Sequence, residues 1–225
     1  LAVMSVSTIT SVSQALKVSL TGASATFLAG DRQLSSPRTI ESQWLEYATE
    51  LGLRWSASAE FSSMLGSKDA FQLVSVKAVD DKFPLKGFVT IDSVEGGESQ
   101  KRGGPPKESV WVHSRLLSLL GLTLGETVGI GESQLIAQSV VVQEPDVSFQ
   151  LAGLAPRVLM RLDELANTQV LQPGSRITWR YYFAGELSAI EQYEQWVTPK
   201  LVASQNWQSL KDGRPAISKA LDKAE

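Results

Sequence analysis

The segment 71–87, FQLVSVKAVDDKFPLKG, limits what the rest of this chain can fold into. Its first half is an apolar β-type stretch, which ends at Asp80-Asp81 and is followed by an X-Pro turn at Phe83-Pro84. A glycine-rich loop, GGESQKRGGPPKES, follows at 96–109 and leads into a region of different composition. A strand that ends in a turn and continues into a different module predicts one domain interrupted by another.

Composition narrows the class of protein. The chain has 225 residues, of which 43% are hydrophobic and 20% charged, as in an ordinary globular protein with one large or two small domains. Its net charge of −3 is spread along the chain without a basic, aromatic-rich stripe, so nucleic acid is not an expected partner. Because there are no cysteines, disulfides, thiolate catalysis and cysteine metal sites are excluded.

The first 20 residues leave two interpretations open. They carry no charge before Lys17, lack the basic start of a signal peptide, and are too rich in serine and threonine to cross a bilayer. Apolar residues recur there at helical spacing: Ile9, Val12, Leu16 and Leu20. The segment is either the outer end of a transmembrane helix or a frayed terminus.

Two strand–helix–strand units flank the middle region. The first has a strand at 25–29, a helix that starts at Ser36-Pro37 and ends at Gly52, and strands at 53–65 and 71–79. The second has a strand at 175–184, a helix capped by Ser188 and ended by Pro199, and a strand at 206–210. Together they predict an α+β fold with a split βαβ, ferredoxin-like subdomain whose helices cover one face of a shared sheet.

The middle region, about 88–171, has the short strands and glycine turns of a small β-rich module. A brief helix at 113–120 closed by Gly121 interrupts the strands, and 125–131 indicates a hairpin rather than a phosphate loop. The predicted strands are 111–112, 126–130, 134–143 and 158–162.

No motif predicts catalysis. His113 is the sole histidine, no G-x-S-x-G elbow is present, and the adjacent Ser114 cannot easily complete a triad with it. The carboxylates at 80–81, Glu144 and Asp146 lack calcium-loop spacing, so bonds to local backbone amides are the favoured interpretation. In the strand segment 179–182, WRYY, one face is either an exposed aromatic site or, more commonly, part of an amphipathic sheet. We therefore predict no catalytic, cofactor-binding or metal residues, and the substrate or partner contacts are unknown.

The order of several short motifs resembles a known family. These are AGDR at 29–32, SVKAVD at 75–80, PL at 84–85, LLSLLGLTLG at 116–125, EPD at 144–146, LAPR at 154–157 and QPGSR at 172–176. The chain resembles, over nearly its whole length, the periplasmic domain of MacB/FtsX-like ABC transporter permeases, those of the YbbP type in particular. The glycine-rich loop at 96–106 is longer than the family pattern.

The resemblance implies an arrangement along the chain. A porter-like α/β subdomain at 22–87 and 172–215 would be interrupted by a sabre-like β-rich insertion at 88–171. Residues 1–21 would form an N-terminal stalk at the end of a first transmembrane helix, and 216–225 a C-terminal stalk that leads to a second.

The resemblance also implies a function. The chain would be the non-catalytic periplasmic domain of a bacterial inner-membrane permease that pairs with a separate cytoplasmic ATPase subunit and is able to dimerise. It would transmit ATPase-driven motion to a hydrophobic or lipid-like cargo or to a periplasmic partner of the thioesterase or lysophospholipase type, without any cofactor. Two alternatives remain: a lipoprotein-release permease of the same superfamily, or a free-standing periplasmic binding module.

Overall fold

The computed structural model describes residues 29–208, apart from 69, 95, 147–154 and 173. The predicted stalks at 1–21 and 216–225 and most of the predicted strand at 25–29 lie outside these residues. Within these residues, eleven strands join in one mixed sheet, and three short α-helices and two 3-10 helices pack on it. The predicted α+β class is confirmed.

The elements follow the chain in a simple order. The strands are β1 Arg32–Ser36, β2 Arg54–Ser67, β3 Ala70–Val79, β4 Val89–Ser93, β5 Gly97–Lys101, β6 Ser109–His113, β7 Thr127–Ile130, β8 Ser133–Gln143, β9 Arg157–Arg161, β10 Thr178–Ala184 and β11 Asn206–Gln208. The helices are α1 Ser42–Glu50, α2 Arg115–Leu120 and α3 Leu187–Val197, with 3-10 helices at Leu162–Thr168 and Thr198–Lys200.

One end of the sheet is built from two interleaved β–α–β units. The strand order there is β11-β1-β10-β2, so each unit has one strand of the other unit between its own two strands. Helices α1 and α3 cover one face, where Tyr181 and Phe183 of β10 pack against Trp44, Tyr193 and other buried apolar residues. The helical aromatics interlock, with the rings of Tyr47 and Trp196 4.4 Å apart at their centroids.

The other end of the sheet closes into a ring. The pairings run β2-β3-β9-β6-β8-β7 and return to β2 through the short β7–β2 contact at Leu65 and Ile130. The ring encloses an apolar cluster, which α2 and the first 3-10 helix help to form through Leu116 and Leu165. Strands from the predicted α/β subdomain and from the predicted insertion thus share one core, and the division into porter-like and sabre-like subdomains stays a prediction.

Four local predictions differ from the structure. Ser36 does not start a helix: it is the last residue of β1, paired with Trp179, and α1 begins six residues later. The sequence did not predict β1, which follows the turn at Gly30 and pairs with both β10 and β11. The glycine-rich loop contains β5, a polar edge strand without the apolar alternation that marks a strand in sequence. Ser188 lies inside α3, whose first residue is Leu187.

Several other local predictions within the described residues are confirmed. The β2–β3 and β7–β8 hairpins form as expected, as do the strands around 111–112 and 158–162. Gly52 and Gly121 follow the ends of α1 and α2 with φ of +76° and +58°, the left-handed conformation that glycine adopts without a Cβ penalty.

Candidate functional site

Six charged side chains form a buried charge network on the sheet face opposite the helices. Its members are Glu60, Lys77, Glu144, Asp146, Arg157 and Arg180. At the centre, the fully buried Lys77 donates a hydrogen bond from Nζ to Asp146 Oδ1 at 2.6 Å. Its Nζ lies 3.8 Å from Glu144 Oε1 and 3.9 Å from Glu60 Oε1. One ammonium group is therefore shared among three carboxylates.

Two arginines complete the charge balance. Arg157 Nε lies 3.1 Å from Glu144 Oε1, and Arg180 Nη2 lies 3.1 Å from Glu60 Oε2. The network then holds three cations and three carboxylates, and its formal charge is zero. Neutrality matters because an uncompensated charge in a buried site costs several kcal/mol.

Tyr182 connects the network to the neutral polar groups of the sheet. Its hydroxyl donates to Asp146 Oδ2 at 2.6 Å and lies 3.0 Å from Ser58 Oγ. Lys77 Nζ also lies 4.3 Å from the centroid of the Phe83 ring, a cation–π distance. Both oxygens of Asp146 are thus held, one by an ammonium group and one by a phenol.

Strand register explains why these residues meet. Glu60 lies opposite Lys77 in the β2–β3 pair, and Lys77 lies opposite Leu159 in the parallel β3–β9 pair. Because side chains alternate between the two faces of a strand, Arg157 and Arg180 fall on the same face as Lys77. The two remaining carboxylates come from the segment directly after β8, where Asp146 has a φ of +65°. The network therefore holds that segment against four strands.

Burial sets the protonation behaviour of the site. Burial raises the pKa of Glu144, against the opposing effect of Lys77 and Arg157. Burial and the neighbouring Asp146 hold the pKa of Tyr182 well above 10.0, so its phenol is a hydrogen-bond donor rather than a base. Burial opposes the charge of Arg157, but Glu144, Glu60 and Asp146 outweigh it and raise the pKa of that guanidinium.

The network is not fully satisfied. Both Glu144 carboxylate oxygens and Oε1 of Glu60 are buried without a well-aligned hydrogen bond, although cations lie within 4 Å of Glu144 Oε1 and of Glu60 Oε1. A buried carboxylate held by charge alone is less stable than one that accepts hydrogen bonds. The arrangement is suited to holding two parts of the fold together, and it places no nucleophile beside a base.

The structure places each residue considered from sequence. His113 ends β6, and its Nδ1 accepts the backbone amide of Arg115 at 3.2 Å, while burial and Arg115 lower its pKa. Asp80 accepts from the backbone amides of Lys82 and Phe83 at 3.1 and 3.0 Å, the local bonds predicted for a strand-terminating carboxylate. It also accepts from Ser56 Oγ at 2.6 Å and from the backbone amide of Ala57 at 2.7 Å.

One sequence interpretation is wrong. Glu144 does not bond local backbone amides, and the carboxylates at 144 and 146 contact Lys77, Arg157 and Tyr182, which are distant in sequence. Of the two alternatives at 179–182, the less favoured one, an exposed aromatic site, does not form, since Tyr181 is 4% exposed and Tyr182 is fully buried. Tertiary contacts, which local sequence cannot show, determine both outcomes.

Sequence reasoning missed the centre of the network. Lys77 and Arg180 lie in strands that are otherwise apolar or aromatic. The residues two positions away along each strand face inward, on the same side of the strand as these two charged side chains. A charged residue inside a buried strand needs an opposite charge, so this pattern is the signal that predicts a buried partner. Among the described residues there is no group of three His, Cys, Asp or Glu side chains that could hold a metal ion. In the same part of the chain, no helix is long and apolar enough to span a membrane.

The whole chain is similar in sequence to a known protein. The chain is 35% identical over 225 residues to the uncharacterized ABC transporter permease YbbP of Escherichia coli (strain K12). The match covers 100% of this chain and 27% of that permease, so the chain spans about a quarter of its relative. No protein-family model matches the chain.

Solved structures bear on the fold. The periplasmic region of MacB from Actinobacillus actinomycetemcomitans matches with a TM-score of 0.52 and 9% identity, over 88% of this chain and 95% of that structure. The extracellular domain of the noncanonic ABC-type transporter YknZ from Gram-positive bacteria has a TM-score of 0.47 and 12% identity, over 79% and 100%. The predicted resemblance is confirmed, in sequence by the first relative and in fold by the MacB region.

Proposed function

We propose that this chain is the extracytoplasmic domain of an inner-membrane ABC transporter permease, facing the periplasm. The observation that carries the proposal is the 35% identity to a permease along the whole chain. Most of that permease lies outside the match, so the transmembrane part and the ATPase subunit are themselves part of the proposal.

The positions of the two described ends support a domain carried by two neighbouring membrane helices. The carbonyl of Ala29 accepts the backbone amides of Leu85 and Lys86 at 2.9 and 3.1 Å, which fixes the first end beside the loop after β3. At the other end, Gln208 lies opposite Gln33, next to the start of β1. Both ends therefore lie at one edge of the sheet, as two stalks from one membrane require.

The proposed role is mechanical. The interleaved units would form the porter-like part at 22–87 and 172–215, and 88–171 the sabre-like part, with stalks at 1–21 and 216–225. A continuous sheet across both parts, with the buried charge network beneath its centre, suits a body that moves as one unit. A cytoplasmic ATPase subunit would drive that motion, and its outcome would be transfer of a hydrophobic or lipid-like cargo or action on a periplasmic partner.

The domain is proposed to be non-catalytic. Among the described residues the side chain of its single histidine bonds only a backbone amide, so neither a nucleophile nor an orienting carboxylate is paired with it. Catalysis in this system would be ATP hydrolysis in the separate cytoplasmic subunit.

Co-purification tests the permease assignment. The full-length gene product, extracted from membranes in detergent, is expected to co-purify with an ATP-binding-cassette subunit encoded in the same genome and to bring ATPase activity with it. An ATPase variant with its P-loop lysine replaced should co-purify without activity. A gene product that is found in the soluble fraction and carries no ATPase would contradict the assignment and favour a free-standing binding module.

A further inference from the structure

A cleft of about 490 Å³ opens beside the turn between α1 and β2. One wall comes from that turn and the start of β2, and the opposite wall from the loop after β3 and from the residue that follows β5. The lining residues are Thr49, Leu53, Arg54, Trp55, Asp81, Lys82, Pro84, Leu85 and Arg102. Nothing in the proposed mechanical role uses this cleft.

The cleft carries an excess of positive charge. Three cations, Arg54, Lys82 and Arg102, line it against a single carboxylate, Asp81. All three cations are exposed, and none forms a salt bridge with a carboxylate in the part of the chain that the structure describes. The neighbouring Lys86, by contrast, is paired with Asp31. Three uncompensated cations around one opening attract an anion.

The rest of the lining is apolar and aromatic. Leu53, Pro84 and Leu85 are buried side chains that reach the cleft wall, and the ring of Trp55 is half-buried beside them. Lys82 Nζ lies 4.6 Å from the centroid of the Trp55 ring, so the indole orients one of the cations. An apolar wall next to a cationic rim fits a ligand that has an anionic group on a hydrocarbon chain, and it does not favour a fully hydrated ion.

The cleft lies at the edge of the sheet where both described ends of the chain lie. Arg54 pairs with Ala184 at the start of β2, and Arg32 pairs with Phe183 one position away. Leu85, in the cleft wall, donates its backbone amide to the carbonyl of Ala29. Under the proposed function, on which this step rests, that edge faces the outer surface of the membrane.

We propose that this cleft binds the anionic headgroup of a phospholipid, with the phosphodiester held by Arg54, Lys82 and Arg102. The first part of the acyl glycerol lies against Leu53, Leu85 and Trp55. The site either anchors the domain to the membrane surface or accepts a lipid at the membrane exit, and both roles require the same recognition chemistry. Asp81 opposes the ligand and limits its affinity.

Binding to a soluble lipid tests the site on the chain as it exists. Dihexanoyl phosphatidylglycerol, kept below its micelle concentration, is titrated into the 225-residue chain and followed by calorimetry and by Trp55 fluorescence. We expect saturable binding that weakens as salt is raised, and at least tenfold weaker binding of zwitterionic dihexanoyl phosphatidylcholine and of inorganic phosphate. The fluorescence change should disappear in Trp55→Phe.

Charge variants test which residues carry the binding. Arg54→Gln, Lys82→Gln and Arg102→Gln should each weaken binding severalfold, and the triple variant at least tenfold, while Arg115→Gln, an exposed arginine of α2, should leave binding unchanged. Asp81→Asn should strengthen binding, a gain that misfolding cannot produce. Absence of saturable binding in the millimolar range would overturn the proposal. So would equal binding of phosphatidylcholine or of inorganic phosphate, or a loss in Arg115→Gln as large as in the triple variant.

The outcome is independent of the test of the proposed function. The soluble assay reports on the cleft whether or not the full-length protein associates with an ATPase subunit. A soluble, ATPase-free gene product that still binds the lipid would contradict the permease assignment alone. A permease whose domain does not bind the lipid would contradict this proposal alone.

Discussion

Lys77 Nζ lies 2.6 Å from Asp146 Oδ1, and the two side chains are 0% and 1% exposed. The pair joins β3 to the segment that follows β8, which are far apart in sequence. Two charges can be buried together at such a site only if the attraction and the surrounding hydrogen bonds offset the loss of hydration. The Tyr182 hydroxyl and the nearby Phe83 ring supply part of that compensation.

Removing the central cation should therefore be costly. Lys77→Met leaves Glu60, Glu144 and Asp146 facing only two arginines, and we expect it to lower the free energy of unfolding by about 3–5 kcal/mol. Urea denaturation followed by circular dichroism measures the loss. Lys101→Met on the exposed strand β5 is the matched control and should change stability by less than about 0.5 kcal/mol.

A second substitution should repair part of that loss. Lys77→Met with Asp146→Asn restores a neutral network, and the introduced asparagine can still accept a hydrogen bond from the Tyr182 hydroxyl. Asparagine also tolerates the φ of +65° at this position. We expect the double variant to be more stable than Lys77→Met alone. Strictly additive costs in the double-mutant cycle would show that the two charges do not interact.

Glu144 gives the network a defined pH dependence. Its pKa in the folded chain is raised from 4.5 because burial disfavours the carboxylate. The folded state then binds this proton more tightly than the unfolded state does, so the contribution is present below pH 4.5 and is lost as pH rises through the folded pKa. In the Glu144→Gln variant the side chain is neutral at every pH, so the variant does not lose this contribution to stability as pH rises.

The measurement is the difference in the free energy of unfolding, Glu144→Gln minus wild type, as a function of pH. We expect this difference to increase as pH rises above 4.5 and to level off once the folded carboxyl is ionised. The raised pKa of Asp80 acts in the same direction but is present in both proteins and cancels. A difference that falls with pH would mean that the cations, rather than burial, control this carboxyl.

Two glycines with left-handed backbones should differ sharply in their tolerance of a methyl group. A Cβ at Gly52 meets nothing within 4 Å, so Gly52→Ala should cost only the backbone strain of about 1–2 kcal/mol. A Cβ at Gly131 would lie 2.0 Å from the carbonyl oxygen of Thr168, at the end of the first 3-10 helix. Gly131→Ala should therefore cost about 1–3 kcal/mol more, through overpacking.

Thermal unfolding of the two alanine variants, side by side, measures the difference. Because φ is positive at both sites, both variants carry the same kind of backbone strain. The additional loss of stability in Gly131→Ala then measures the contact between the β7–β8 turn and the 3-10 helix. Equal costs would show that this contact relaxes without loss and that the ring of strands is not tightly closed there.

Local sequence predicted the elements whose apolar pattern or turn glycine lies within the element or at its end. The stripe around Trp44 and the glycine at 52 predicted α1 and its end, and the glycine turn at 131 predicted the β7–β8 hairpin. The predicted start of α1 was wrong because Ser36 pairs with Trp179, a residue that local sequence cannot place beside it. The polar strand β5 was missed because its residues show no apolar alternation.

The buried charge network was beyond local reasoning for a related physical reason. Asp146 neutralises the charge of Lys77, and Glu60 neutralises that of Arg180. Each pair joins separate parts of the chain. A sequence shows that a buried strand carries a charge but not which distant charge neutralises it. The β10–β2 register brings Arg180 to Glu60, and the packing of the segment after β8 against β3 brings Asp146 to Lys77.

We expect this domain to lie outside the cytoplasm as part of a membrane permease. Since the 225 residues contain no cysteine, one introduced cysteine reports on the domain against no background from the domain itself. Glu98→Cys places a thiol on the exposed edge strand β5, and Ala137→Cys places one in the core, 0% exposed. Both are made in the full-length gene product with any cysteines outside this domain replaced, and intact spheroplasts are treated with a membrane-impermeant maleimide. We expect Glu98→Cys to be labelled without lysis and Ala137→Cys to be labelled only after unfolding. Labelling at 98 that appears only after the membrane is broken would contradict it.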